Sequence, residues 1–351
     1  MGTMKEHASQ VTIRDVALRA GFSTATVSRV LAGIGRPRPA TEAAVRSAVE
    51  DLGYRPSGVA RSLRMRRTQS LGLIVTDIGN PFFPELVKAA DDRARELGYS
   101  ILLGTAAYDE RRAMHYLNLM AEHRVDGMIV ASSQLSGAGW DWLLSSPVPV
   151  VVANAEPAGL PVTVITSDNF GASRIAVEHL VGLGHRRIGY VRGSQVYTAA
   201  VPRIEGFRAA CADAGLDPSE TPVIRGEGDV ESGYRAAVEL LASRPDVTAI
   251  YCYNDLTAIG VLRALRDAGR RVPDDISVVG LDDIAAASWT VPSLTTVAQQ
   301  KAEMGRLAVE RLTKALEDNG GVLEPDVVRL PTSLCQREST GPVPPAVSHK
   351  E

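Results

Sequence analysis

The stretch VTIRDVALRAGFSTATVSRVLAG, Val11 to Gly33, decides the reading of this chain. Ile13, Val16 and Ala17 fall at i, i+3, i+4 spacing, and Thr12 stands where a helix N-cap belongs. Gly21 follows at the place where two helices need a left-handed turn residue. Ser23 can cap a second helix whose buried stripe is Val27, Val30 and Leu31. That leaves Thr24, Ala25, Thr26, Ser28 and Arg29 facing outward. Short hydrogen-bonding groups, a methyl and one long cation suit base edges and phosphates in a major groove. An ordinary surface helical hairpin has the same local pattern, so the surroundings decide.

The surroundings are basic. Residues 1–69 hold twelve Lys or Arg against five Asp or Glu, a balance of +7; the whole chain has 38 against 41, so the remainder carries −10. Positive charge gathered at one end of an acidic chain points to a small polyanion-binding module fused to a larger domain. The segment keeps helical periodicity, which a solvated basic tail would not. After it, Pro37 and Pro39 interrupt the chain. Ala44, Val45, Ala48, Val49 and Leu52 then mark one face of a third helix, which Gly53 ends. RPSGVARSLRMRRTQS, Arg55 to Ser70, reads either as a disordered basic linker or as a short segment that becomes helical only when packed against a twin and DNA.

The 351 residues, 45% hydrophobic and 23% charged, describe a globular protein with a large core. The opening MGTMKEHASQ has no apolar run, and no stretch approaches the ~20 apolar residues of a membrane span. Cys211, Cys252 and Cys335 lack metal-like spacing and read as small buried hydrophobes in a reducing cytosol. The six histidines are scattered, and no GxSxG, HExxH, Walker loop or strand-linked GxGxxG occurs. Enzyme, metal and nucleotide-cofactor readings therefore find no footing.

From Leu71 strands and helices alternate. Strand candidates are 71–77, 99–105, 127–132, 148–154, 163–168, 187–193, 221–227, 248–254 and 276–282; helical patterns such as 83–97, 111–122, 172–183 and 256–268 separate most of them. This order implies parallel sheets covered by helices on both faces, and nine strands favour two similar lobes. A ligand belongs at the carboxyl ends of such strands. There stand Asp77, Asn80, Phe82 and Phe83, then Asn154, Tyr197, Arg203, Asn254, Asp255, Asp282 and Asp283. Aromatic faces with carboxylate, amide and guanidinium groups suit a polyhydroxylated ring. Taken singly, each Asp there equally serves as a helix N-cap, and Phe82 or Phe83 as plain core.

These residues lie in motifs that resemble those of the lactose repressor (LacI/GalR) family of bacterial transcription regulators. TIRDVALRAGFSTATVSRVL, EDLGYRPSGVARSLR, DIGNPFFPELV, HLVGLGHRRIGYV, YNDLTAIGVLRAL, VPDDISVVGLDDI and PSLTTVAQ occur in family order. The resemblance implies an α/β fold: a three-helix helix-turn-helix head and a two-lobed core with parallel sheets, similar to periplasmic sugar-binding proteins, with three crossings between lobes. It places the head at 10–55, a hinge helix and linker at 56–70 and the core at 71–340. Lobe 1 is expected at about 71–165 and 294–325, lobe 2 at about 166–293 and 326–340, and a flexible tail at 341–351. DNA contacts are expected from Thr12, Ser23, Thr24, Ala25, Thr26, Ser28 and Arg29 on the head. Ser57, Ala60, Leu63 and Arg64 follow on the hinge, Leu63 matching the side chain that wedges into the minor groove. Effector contacts are expected from Asp77, Phe82, Phe83, Asn154, Tyr197, Arg203, Asp229, Asn254 and Asp282. The chain departs from the family pattern at Ala32, at Pro37–Arg38 and at Gly228, where relatives place an aromatic that covers the ligand. Its tail lacks a leucine heptad for tetramers.

The expected protein is a cytoplasmic homodimer that binds a pseudo-palindromic operator, a repressor controlled by a small molecule, a sugar or sugar derivative. It needs no cofactor, metal or membrane. A regulator answering to a nucleobase or a protein corepressor, or a solute-binding protein, are the alternatives.

Overall fold

A computed structural model describes residues 11–31, 35–54, 67–131, 137–156, 159, 161–194, 197–318 and 320–343. The chain divides into two compact units, Met1–Thr68 and Gln69–Glu351.

The first unit contains α1 (Ile13–Ala20), α2 (Thr24–Leu31) and α3 (Pro39–Leu52). The Asp15 carboxylate accepts from both the backbone N–H and the hydroxyl of Thr12, at 2.8 Å each, and closes the first turn of α1. Gly21 ends it at φ +73°, a conformation glycine adopts without steric cost. Ser23 caps α2 by accepting from Thr26 N–H at 3.1 Å. Val16, Ala17, Val27, Val30, Val45 and Ala48 form the small core. Ser57, Ala60, Leu63 and Arg64, expected on the hinge, lie outside the described residues, as does Ala32.

The second unit is built on two six-stranded sheets. The first comprises β1 (Ser70–Val75), β2 (Ser100–Thr105), β3 (Gly127–Ala131), β4 (Val150–Ala153), β5 (Thr163–Ser167) and β11 (Val327–Leu330). All its neighbours pair in parallel, in the order β11-β5-β4-β3-β1-β2. The second sheet holds β6 (Ile188–Arg192), β7 (Val223–Arg225), β8 (Ala249–Cys252), β9 (Ser277–Asp282), β10 (Thr295–Ala298) and β12 (Ser333–Cys335). Its order is β12-β10-β9-β8-β6-β7, with only β12 antiparallel. The helices are α4 (Phe82–Glu96), α5 (Glu110–Glu122), α6 (Gly137–Leu144), α7 (Asn169–Gly182), α8 (Ala200–Asp213), α9 (Val230–Ser243), α10 (Asp255–Asp267) and α11 (Lys301–Asp318). Strands such as β3, β5 and β9 are buried along their whole length, as parallel strands covered on both faces must be.

The nine strands expected from the sequence all form. Three more, β10, β11 and β12, do not show in the pattern, and they correct the expected lobe boundaries. Residues 295–298 join the second sheet rather than lobe 1, and residues 327–330 join the first sheet rather than lobe 2. The chain crosses between β5 and α7, between β10 and α11, and between β11 and β12. Among the described residues, no helix is long and apolar enough to cross a membrane, and no group of three or more metal-ligating side chains forms.

Candidate functional site: a helical reading face and an interlobe cleft

On the head, Thr12, Ser23, Thr24, Ala25 and Arg29 are exposed and Thr26 is half-buried. Three hydroxyls are already engaged: Thr12 on Asp15, and Ser23 and Thr26 with each other at 3.0 Å. Thr24, Ala25 and Arg29 remain exposed on α2. Ser28 corrects the sequence reading, for it is buried. It directly follows core residue Val27, and at 100° per residue it turns onto the flank of the buried stripe.

In the second unit the carboxyl ends of both sheets meet at a cleft of about 440 Å³, counting its open mouth. From the first lobe come Thr76 and Asn80 after β1, Phe82 and Phe83 opening α4, Tyr108 after β2 and Asn154 after β4. From the second come Tyr197 and Arg203 after β6, Gly228 after β7, Tyr253 and Asn254 after β8, Asp282 at the end of β9 and Gln299 after β10.

Phe82 and Phe83 are buried and meet edge to face, ring centroids 5.2 Å apart. The turn before them is held by Asn80, whose side chain accepts from Phe82 N–H at 3.0 Å. Opposite, the buried Arg203 donates through Nε to Asn169 Oδ1 (2.9 Å) and through Nη1 to the Tyr253 carbonyl (2.8 Å). Its guanidinium carbon lies 4.4 Å from the Tyr253 ring centre. Tyr197 stacks on Tyr253 at 5.9 Å and faces Tyr108 of the other lobe at 6.2 Å. Burial raises the pKa of both Tyr108 and Tyr197, so their hydroxyls stay protonated donors.

Asp282 is 5% exposed and accepts from Gln299 Nε2 at 2.5 Å. Burial pushes its carboxyl up to about 6, against the pull of Arg203 and Lys301 and the Gln299 bond. Gln299 Oε1 is buried and has no hydrogen-bond partner among the described residues. Asp282 does not cap the short 3-10 helix at Ala285–Ser288; the buried Asp255 accepts the Ile284 N–H at 2.9 Å instead.

Seven of the nine residues expected at the cleft line it: Phe82, Phe83, Asn154, Tyr197, Arg203, Asn254 and Asp282. Two do not. Asp77 accepts from Gly79 N–H within the β1–α4 turn, and Asp229 caps α9 by accepting from Ser232 N–H at 2.8 Å. Both do the local work of a carboxylate at a strand or helix end. Asn254 does two things: its Oδ1 caps α10 through Thr257, and its Nδ2 donates to the Gly228 carbonyl at 2.8 Å. Sequence reasoning missed Thr76, Tyr108, Tyr253 and Gln299 as lining residues. Gln299 would have been found with β10, whose carboxyl end it follows.

This fold, a helix-turn-helix head and a two-lobed α/β unit with a polar and aromatic cleft at its strand ends, defines a ligand-responsive DNA-binding regulator. A family model for bacterial regulatory proteins, lacI family, matches residues 12–57, and one for a periplasmic binding protein-like domain matches residues 177–340. The HTH-type transcriptional repressor PurR of Haemophilus influenzae (strain PittEE) is 38% identical over 306 residues, 87% of this chain and 91% of that protein. The lac repressor dimer bound to operator and the anti-inducer ONPF superposes with a TM-score of 0.85 at 28% identity, over 95% of this chain and 100% of that one. The transcriptional regulator CelR in its cellobiose complex gives 0.72 at 34% identity, over 94% and 100%. The chain belongs to the lacI family of bacterial regulatory proteins. It is a DNA-binding transcription regulator and not an enzyme.

Proposed function

We propose that this protein is a cytoplasmic, homodimeric repressor that binds a pseudo-palindromic operator, with a sugar or sugar derivative in the interlobe cleft setting its DNA affinity. The observation that carries the choice of effector is the acceptor pair on the second lobe. The Asp282 carboxylate and Gln299, whose Oε1 has no partner among the described residues, line the same cleft as the Arg203 guanidinium and the Phe82–Phe83 pair. Neighbouring hydroxyls donate to the first two and accept from the third, while C–H faces pack on the rings. The cellobiose bound by CelR is the same chemistry.

The mechanism is two-state. One lobe arrangement brings two heads to half-site spacing, and the effector stabilises the arrangement it fits better. A nucleobase is the second reading, favoured by the aromatic side chains of the cleft, which suit a planar heterocycle.

The test has two parts. Selection from random DNA yields the operator, and isothermal titration against mono- and disaccharides and nucleobases yields the ligand class. Binding of a saccharide that shifts operator affinity, lost in Asp282→Asn, supports the proposal. Binding of nucleobases alone, or of neither class, overturns its effector assignment.

A further inference from the structure

Directly behind the cleft lies a lysine that neither the motifs nor the lining residues single out. Lys301 opens α11, just after the chain has crossed from the second sheet back to the first. Its side chain is 4% exposed. A buried ammonium is costly unless its charge and its three protons are met. Here three acceptors meet them: the Asp282 carbonyl at 2.6 Å, the Asp283 carbonyl at 2.9 Å and Glu85 Oε2 at 3.3 Å.

The acceptors come from both lobes. Asp282 ends β9 in the second sheet, and Asp283 follows it. Glu85 lies on α4, in the same first turn as Phe82 and Phe83. The two carbonyls belong to residues with φ +124° and +52°, a region that non-glycine residues avoid. Such a backbone persists only where its surroundings over-determine it. Lys301 binds both carbonyls, Gln299 holds the Asp282 carboxylate, and Arg337 pairs with the Asp283 carboxylate at 2.6 Å.

We propose that Lys301 is a positioning residue, a buried cationic strap that ties the strained Asp282–Asp283 corner of one cleft wall to α11 and α4 of the other. A change at the Asp282 carboxylate is then transmitted to the opposite lobe through the Lys301 ammonium. The proposal rests on the reading of the cleft as the effector site. Glu85 is half-exposed, so its bond orients the amine rather than carrying the coupling; the bonds to the two carbonyls carry it.

Hydrogen exchange of the full-length free protein tests this without any ligand. Asp282→Asn stands in for a perturbation at the effector end, read at the amides of residues 84–90 on α4. In the otherwise native chain we expect Asp282→Asn to change exchange there severalfold. In a Lys301→Met background the same substitution should change nothing at 84–90. Lys301→Met alone should raise exchange at residues 282–286 about tenfold, and Lys301→Arg should restore it. If Lys301→Met is too unstable, Lys301→Gln takes its place in both readings. Transmission from Asp282 to α4 that survives loss of the Lys301 amine, or native exchange at 282–286 without that amine, would each overturn the strap. Because these readings use the free protein, the strap fails or stands independently of whether a saccharide binds.

Discussion

Arg29 and Asp282 show how differently single side chains can be read. Arg29 is exposed on α2, and its Nε reaches back to the Ala25 carbonyl at 3.4 Å. Arg29→Ala is expected to weaken operator binding by about 1–3 kcal/mol and to relax preference at one base pair, as loss of a bidentate base contact does. Mobility shifts on operator and single-base variants check this; an equal loss on all sequences would leave only a phosphate contact. Asp282 carries the pH dependence. Burial pushes its carboxyl up to about 6, above the ordinary 3.8, and raises the buried Asp255 beside it in the same direction, so the folded state holds these protons longer than the unfolded one. Asp282 therefore costs stability progressively as pH rises from about 4 to 6, and adds no further change above that. Effector affinity runs the other way. If the ionised carboxylate accepts hydroxyls, affinity is flat above about pH 7 and falls as pH drops through 6. Titration calorimetry between pH 5 and 8 measures the profile; an affinity that stays flat across that range would mean that the carboxylate takes no part in binding.

At the scale of elements, helix pairs flank each sheet, and glycines set their spacing. A Cβ on Gly260 of α10 would come within 2.0 Å of the Val230 carbonyl oxygen, and one on Gly233 of α9 within 2.3 Å of the Thr257 oxygen. The two helices thus touch backbone to backbone, directly behind Asn254 and Gly228. Gly260→Ala is expected to destabilise the protein by about 1–3 kcal/mol through overpacking. A lowered urea midpoint with an unchanged slope would bear this out. An unchanged midpoint would mean that the helices separate freely.

The same scale explains what was legible along the chain. β1, β3 and β9 are apolar runs long enough to announce themselves, and Asp109, Asp168 and Asn254 are N-caps that start helices one to three residues before their apolar stripes do. β10, β11 and β12 are only three or four residues long, and β11 and β12 are partly exposed. Nothing local distinguishes VVRL or SLC from loop; each is a strand because a neighbour offers an unpaired edge.

At the scale of the whole molecule, β2 is the edge of the first sheet, and Leu102 and Leu103 on it are 42% and 45% exposed. An apolar edge strand left in water invites association, and covering it would support the proposed dimer. Leu103→Asp is expected to shift the protein from dimer to monomer in sedimentation velocity while leaving the two lobes folded. A dimer of undiminished stability would place the interface elsewhere.

By itself the sequence determined the helix-turn-helix head, the alternation of strand and helix, and most of the residues at the cleft. Each of these is written in local terms: helical or strand period, capping residues, and polar or aromatic groups at strand ends. Tertiary structure alone decided the rest. It drew Asp77 and Asp229 out of the cleft into turn and cap, turned Ser28 inward, and brought Tyr108, Tyr253 and Gln299 to the ligand space. It also set Lys301 against carbonyls nineteen and eighteen residues before it and against Glu85 on the other lobe. The physical reason is that a side chain's local partner is specified by its neighbours in sequence. A partner across a sheet or a lobe boundary exists only once the chain has crossed between the sheets three times.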